Sequence, residues 1–476
     1  MRILLVIPSR ATGFTKFPDE LLSIAGVLEK QGHQVLVHDA NLDNRQPQDF
    51  LPFDPHIVGF AVATGPNIAD AAERSIAFKK LLPETKIVWG FRHPSSLPEE
   101  TLEEPYIDYV IIGAGEYTLS ELAQYIEKGK PEQASIKGLG YKQNGKILIN
   151  KPRPFIKNLD ELPDPAWHLV DVKKYWDVAI NVSRGCSYSC TFCSDPAFHK
   201  GYKVNLSAER IVSQMYKLKK NYGVNFVYLS GDDFFLNHER IQEFCNLLIE
   251  KKLKVKWNCD ISGSLEEEDA VLMARAGCNS VIMGVESGSQ RMLEFLRKGC
   301  VEKIENTFRI LVKHKIIPTL FIMYGYPTET TEDFKMSLNL IERLDNPPYL
   351  FMKFVPYPKT ALFDYCVANN LIDSIPKRLT DWTEFPITYT NSINLSDVPE
   401  NIIEVAVDNY IKTYSINRLR FTLKYKPSYF WLALRRPLEF IKAVRNLVRH
   451  QLTRKNDSSD GIRVTEVLDS SGVTIN

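Results

Sequence analysis

The sequence predicts an α/β protein built as two successive units with a helical C-terminal region. Three observations predict it. Strand and helix patterns alternate from residue 2 to about 126, a second alternation of six strand–helix pairs begins near 178, and the pattern beyond about 400 is helical. A chain of 476 residues is long enough for two or three domains. The boundaries fall at 1–130, 131–175, 176–365, 366–455 and 456–476, the last segment being polar and read as disordered.

In the first unit, strands are expected at 2–7, 34–38, 57–62, 86–89 and 109–112. Leu21, Ile24, Ala25 and Leu28 keep helical spacing up to Gly32, and helices also fit 67–81 and 118–126. This order makes a doubly wound parallel sheet, with its ligand crevice at the strand C-terminal ends. The connector carries a hairpin turning at Asn144-Gly145, then a stiff run with Pro152, Pro154, Pro163 and Pro165. The second unit has strand candidates at 178–183, 226–230, 255–260, 280–284, 319–324 and 351–355, with helices at 208–220 and 333–344 among those between. Six such units make a partial TIM-like barrel, (β/α)6, whose chemistry belongs at the strand C-terminal ends.

Composition is that of an ordinary globular protein, with 44% hydrophobic and 25% charged residues. Collagen-like, disordered and disulfide-scaffold classes are excluded. A net charge of +1 gives no case for nucleic-acid binding, and no nucleic-acid partner is expected. The balance hides an asymmetry, because 412–455 holds twelve Lys/Arg and a single acid, Glu439. Aromatics interleave with those cations, which suits an amphipathic helix on an anionic membrane surface, broken at Pro427 and Pro437. A helix packed on the acidic body fits the same pattern, and both readings stay open. No secretory signal or membrane-length apolar run is present. The expected location is cytoplasmic, with peripheral contact at the inner membrane surface through 412–455 on the first of those readings.

Cysteine placement carries the chemistry. None of the eight cysteines lies in the first 185 residues, and three then fall within eight positions: Ser183-Arg-Gly-Cys186-Ser-Tyr-Ser-Cys190-Thr-Phe-Cys193. In a reducing compartment such a cluster is a metal or redox site before it is a disulfide framework. A structural zinc site wants four ligands. Three thiolates on one loop leave a metal incompletely ligated, and in a 4Fe-4S cluster they leave one iron open. The competing readings are a zinc knuckle or three incidental buried thiols.

This triplet, with Phe192 before the third cysteine and a place just after the first barrel strand, resembles the signature of radical S-adenosylmethionine (SAM) enzymes. The resemblance implies a 4Fe-4S cluster on Cys186, Cys190 and Cys193. It also implies SAM as a cofactor, cleaved to a 5′-deoxyadenosyl radical that takes a hydrogen atom from substrate. Tyr228-Leu-Ser-Gly-Asp-Asp-Phe-Phe235 resembles the family stretch that places a glycine and acids near the methionine ammonium, implying roles for Gly231, Asp232 and Asp233. Gly284-Val-Glu-Ser-Gly-Ser289 implies cofactor contacts for Glu286 and Ser287. A surface turn for the aspartates and a helix cap for Ser287 are the plainer alternatives. Tyr324-Gly-Tyr-Pro-Thr-Glu-Thr330 resembles another family loop that shapes the barrel mouth.

The front unit resembles the Rossmann-like cobalamin-binding domain fused to many radical enzymes. The matching stretches are Pro55-His-Ile-Val-Gly-Phe-Ala61, Gly90-Phe-Arg-His-Pro-Ser95 and Asp108-Tyr-Val-Ile-Ile-Gly-Ala-Gly-Glu116. Two departures stand out: the usual paired glycine has become Gly90-Phe91, and Gly-Glu-Gly-Glu has become Gly113-Ala-Gly-Glu116. Asp54-Pro-His56 mimics a cobalt-ligating histidine motif but leads into the third strand, so no histidine on cobalt is expected. A nicotinamide domain would need Gly-x-Gly-x-x-Gly in the first turn, which has only Gly13, and Asp39 makes no convincing ribose ligand. The cysteine-free front and acidic body argue against a tRNA methylthiotransferase.

The domain order resembles the class of magnesium-protoporphyrin ester cyclase, hopanoid C-methylases and phosphinate P-methylases over about residues 1–365. It implies cobalamin-dependent methyl transfer to an unactivated carbon of a small-molecule substrate, with a reducing donor such as flavodoxin or ferredoxin; a lipid-like or other apolar substrate would fit the membrane reading of 412–455. A radical cyclase, oxidase or rearrangement enzyme is the alternative on the same architecture, and a non-catalytic metal-stabilised interaction protein is the alternative of another class. No side chain stands out as a substrate acid or base.

Overall fold

The computed structural model describes residues 1–9, 16–175, 177–231, 234–372, 375–384 and 393–426. In the first sheet, β1 (Arg2–Ile7), β2 (Gln34–Asp39), β3 (Ile57–Ala61), β4 (Lys86–Gly90) and β5 (Tyr109–Ile111) run parallel in the order β2-β1-β3-β4-β5. These strands read as unbroken apolar runs because both faces are covered. Ile3, Leu5 and Ile7 join a core with Leu22 and Leu119, from the helices Asp19–Lys30 and Gly115–Lys128. Leu4 and Val6 face a second core with Ile68 and Phe78 of the helix Asn67–Leu81. The strand order reverses between β1 and β3, which is where such a sheet offers a ligand crevice.

The hairpin assigned to the connector belongs to this sheet. β6 (Leu139–Gln143) pairs antiparallel with β5, and β7 (Lys146–Ile149) pairs with β6. The physical reason is the edge: β5 is three residues long, and an uncovered edge invites pairing. The sheet is therefore five parallel strands with an antiparallel extension.

The second unit is a six-stranded parallel sheet in the order β8-β11-β12-β13-β14-β15. Its members are β8 (Ala179–Asn181), β11 (Phe226–Ser230), β12 (Lys256–Ile261), β13 (Cys278–Glu286), β14 (Ile317–Tyr324) and β15 (Tyr349–Lys353), as six βα units require. The expected strand at 178–183 is broken at Val182. Its end forms β9 (Ser183–Arg184), which pairs antiparallel with β10 (Val204–Asn205). That break turns the chain out of the barrel just before the cysteines.

The C-terminal region is helical, as the sequence suggests, with its long helix beginning at Glu400. Among the described residues of 366–399, only Ala361–Ala368 (at its end) and Asp381–Glu384 are helical. Trp382 there is buried and donates its indole N–H to Glu100 of the first unit. The helix Glu400–Tyr425 buries Tyr410, Tyr414 and Phe421 against the barrel, the Tyr410 ring tilted against Tyr349 at 4.8 Å between centroids. Arg420 and Lys424 pair with Asp345. No described helix is long and apolar enough to cross a membrane.

One buried ion pair joins the two units. Arg184 of β9 reaches Glu116, at the start of the helix Gly115–Lys128, and Ser23 donates to the same carboxylate at 3.0 Å. Glu116 is only 2% exposed. Burial alone would raise its carboxyl, but the Arg184 guanidinium overrides burial and holds it below the ordinary range. Removing one partner of a buried pair costs about 3–5 kcal/mol, because it strands the other charge. Arg184→Met should therefore lose that much in urea unfolding of the apoprotein at pH 7. A carboxyl with a depressed folded pKa stabilises above its ordinary value of about 4.3 and loses that contribution as pH falls through the folded value. The gap between wild type and Arg184→Met should accordingly narrow as pH falls, first as the unpaired Glu116 of the variant protonates above its ordinary value and then as the wild-type pair is lost below it, and a gap independent of pH would contradict the ionic assignment.

Candidate active site

The cysteine loop leaves β9 through Gly185, whose φ is +80°. A Cβ there would sit 1.8 Å from the carbonyl oxygen of Tyr202, so only glycine permits this exit. The loop is then tied down from behind. Thr191 N–H donates to Leu296 O at 3.1 Å, and Thr191 O accepts from Leu362 N–H at 2.9 Å. Cys190 Sγ lies 3.8 Å from Arg297 O. Cys193 caps the helix Ser194–His199, its sulfur accepting from Asp195 N–H at 3.4 Å.

All three cysteines are free of disulfides, and Cys186 and Cys190 are buried. Among the described residues, no three His, Cys, Asp or Glu side chains are already closed into a metal-binding set. By donor chemistry and placement at a strand end, three disulfide-free thiols on one loop suit a 4Fe-4S cluster that takes its fourth ligand from outside the loop.

The structure adds a cation behind this loop. Lys298 is buried and lies 3.3 Å from Glu286. Burial would lower its pKa, but Glu286 and then the thiols of Cys190 and Cys193 outweigh burial and hold it charged. Glu286 ends β13 at a register irregularity, with φ +65°, and its Oε2 is buried without a hydrogen-bond partner. It is thus both anchored and incompletely satisfied, as a ligand-contacting carboxylate would be. Ser287 is fully buried and shares its hydroxyl with Ser337 and the amide of Ser289, while Ser289 takes the capping role for the next helix.

The loop after β14 contributes more than shape. Tyr326 is buried beside Phe192, ring centroids 6.1 Å apart, and its hydroxyl has no hydrogen-bond partner. Glu329 is 0% exposed, accepts from the amides of Gly325 (2.6 Å) and Tyr326 (3.3 Å), and leaves Oε1 unsatisfied. Burial pushes its carboxyl up to about 7.

A cavity of about 350 Å³ lies between the two units, within the size range of ligand sites. Gly59 of β3, Gly90 at the end of β4 and Gly113 just after β5 line it from one side, and Asn181 of β8, Tyr228 of β11 and Asp260 of β12 from the other. A Cβ at Gly113 would meet nothing within 4 Å, so the backbone there is open to a ligand, beside the apolar side chains of Phe60, Phe91 and Ile111 that line the same cavity. Gly231 also lines it, and a Cβ there would collide with Ser183 at 2.4 Å. Asp232 and Asp233 lie outside the described residues. Arg92 and the Asp195–His199 pair line the cavity together, His199 Nδ1 being 2.9 Å and Arg92 3.5 Å from Asp195 Oδ1.

His56 sits just before β3, at the N-terminal end of the parallel strands, accepting from Arg2 N–H at 2.9 Å. Asp39 is engaged by Tyr175 Oη at 3.1 Å. The cobalt-histidine and nicotinamide readings both lack support in this geometry.

Glu329 yields a direct test of the pocket's dielectric. A carboxyl whose folded pKa is raised contributes stability below its ordinary value and loses it as pH rises through the folded one. Wild-type stability should decline across about pH 4.5–7 from this group, where the folded value is about 7. Glu329→Gln should keep both amide contacts, flatten that decline and have the higher Tm at pH 8. Parallel Tm–pH profiles would show that Glu329 is ionised at neutral pH.

Comparison with known proteins agrees with this geometry. Residues 180–341 match the family model of the radical SAM superfamily, and residues 13–123 match that of the B12 binding domain. The chain is 32% identical over 391 residues to an uncharacterized methyltransferase of Pyrococcus horikoshii, covering 78% of this chain and 84% of the relative. It is 24% identical over 388 residues to the anaerobic magnesium-protoporphyrin IX monomethyl ester cyclase of Rubrivivax gelatinosus, covering 76% and 69%. Its fold matches the radical SAM methyltransferase TsrM from Kitasatospora setae, solved with cobalamin and a [4Fe-4S] cluster. The TM-score is 0.67 at 20% identity, over 77% of this chain and 75% of that one. The protein belongs to the radical SAM superfamily, in the group that carries a B12 binding domain ahead of the radical SAM domain.

Proposed function

We propose that this enzyme transfers a methyl group to carbon by way of cobalamin, using a radical generated at the cysteine loop. The observation that carries the proposal is the cavity between the units, which opens the strand ends of the B12 binding domain onto the barrel mouth. The P. horikoshii relative and TsrM are both named as methyltransferases, which supports the same reading.

In this reading Cys186, Cys190 and Cys193 hold the cluster, and Phe192, Gly231, Asp232, Asp233, Glu286 and Ser287 belong to the SAM site. The bound groups supply radical initiation and methyl transfer, chemistry that no side chain can replace. The chain's own residues hold and enclose. Lys298 keeps Glu286 in place beside the cluster loop. The Glu116–Arg184 pair fixes the two walls of the cavity against one another. Tyr228 donates to Asp260 on the barrel wall, presenting a polar edge to a substrate. The donor is of flavodoxin or ferredoxin type. Of the segment 412–455, only the part to 426 lies within the described residues. Two of its cations are paired on the body there, so membrane contact and a lipid-like substrate rest on the residues beyond.

A second reading, radical cyclisation, is favoured by the likeness to the Rubrivivax enzyme. The products of SAM separate the two. Protein reconstituted anaerobically with iron, sulfide and hydroxocobalamin, then reduced and given SAM and an extract of small metabolites, should release both 5′-deoxyadenosine and S-adenosylhomocysteine. The second product should require cobalamin. Deoxyadenosine without S-adenosylhomocysteine would overturn methyl transfer in favour of cyclisation. Replacing all three cysteines with Ala should abolish deoxyadenosine formation, and retained cleavage would remove the cluster from that loop.

A further inference from the structure

Phe91 occupies a backbone conformation that belongs to glycine. Its φ is +83° and ψ −156°, a region that side chains with a Cβ avoid. It follows Gly90 at the end of β4 and lines the cavity between the units.

Neighbouring contacts enforce that conformation. His93 N–H donates to Val62 O at 3.1 Å, and His93 is fully buried. Arg92 crosses to the barrel side, 3.5 Å from Asp195 and 4.9 Å over the Phe198 ring. Phe91 O accepts from Ser95 N–H at 3.2 Å, starting the helix Arg92–Ser96. A turn fixed on both sides holds the strained residue between them. Strain that persists where glycine would remove it marks a side chain retained for contact.

We propose that Phe91 is a cofactor-contacting residue, an apolar side chain at the end of β4 against which a flat corrinoid ring is held. The assignment rests on the proposed cobalamin reading of that cavity. A rigid aromatic plane suits a planar macrocycle, because it adds contact area at small entropic cost.

The test uses the full-length protein and two substitutions, Phe91→Ala and Phe91→Gly, with two readouts. The first is Tm of the apoprotein. At an ordinary position Ala is the more stable of the two, because Gly loses more backbone entropy on folding. Here the order should invert, Phe91→Gly melting above Phe91→Ala. The second readout is hydroxocobalamin affinity by equilibrium dialysis. Both variants should bind about tenfold more weakly than wild type, equivalent to about 1.4 kcal/mol. Wild-type uptake with unchanged affinity in Phe91→Ala would overturn this assignment alone. So would equal, large losses of Tm in both variants, which would make the ring a packing element. A wild-type protein that takes up no hydroxocobalamin would overturn this assignment and the cobalamin reading together, while the Tm order would still report the strain.

Discussion

The buried pair between Glu116 and Arg184 sets the geometry on which the rest of the site depends. Glu116 opens a helix at the C-terminal end of the first sheet, and Arg184 lies two residues before the first cysteine. A desolvated ion pair is a poor source of net stability but a strict one for registration, since neither charge tolerates losing its partner. It brings the strand ends of the B12 binding domain over the barrel mouth at the point where the cysteine loop begins. The cavity between the units, lined from both sides, follows from that registration.

Around that joint the two units divide the work. The first presents Gly59, Gly90 and Gly113 together with apolar side chains, Phe17, Phe60, Phe91 and Ile111 among them. The barrel presents polar groups, Tyr228 and Asp260 among them, and behind the cysteine loop a buried layer of Lys298, Glu286, Tyr326 and Glu329. Several atoms of that layer lack partners in the protein: Glu286 Oε2, Glu329 Oε1 and the Tyr326 hydroxyl. Buried polar atoms are nearly always satisfied, so three such atoms around one loop mark a place built for a polar ligand.

Much of this was legible in the sequence, for physical reasons. Apolar runs and turn signals act locally, so the six barrel strands and the helix Asn67–Leu81 could be read directly. The cysteine triplet was legible because its ligands must lie on one loop. The fate of the β6–β7 hairpin was not, since its pairing is decided by an unprotected edge in another part of the chain. Lys298 and Glu329 were not singled out because their significance comes only from burial and distant partners. The Gly90-Phe91 departure was visible as a broken pattern, yet only the backbone angles show that Phe91 holds a glycine-type conformation.

The most direct test of the central claim, that the cavity between the units holds cobalamin facing the cluster loop, is anomalous diffraction from anaerobically reconstituted crystals at the cobalt and iron edges. The account predicts a cobalt peak inside the cavity at the ends of β1 and β3–β5, and iron on Cys186, Cys190 and Cys193 across from it. Iron at the loop with no cobalt in the cavity, in protein crystallised with excess hydroxocobalamin, would contradict it.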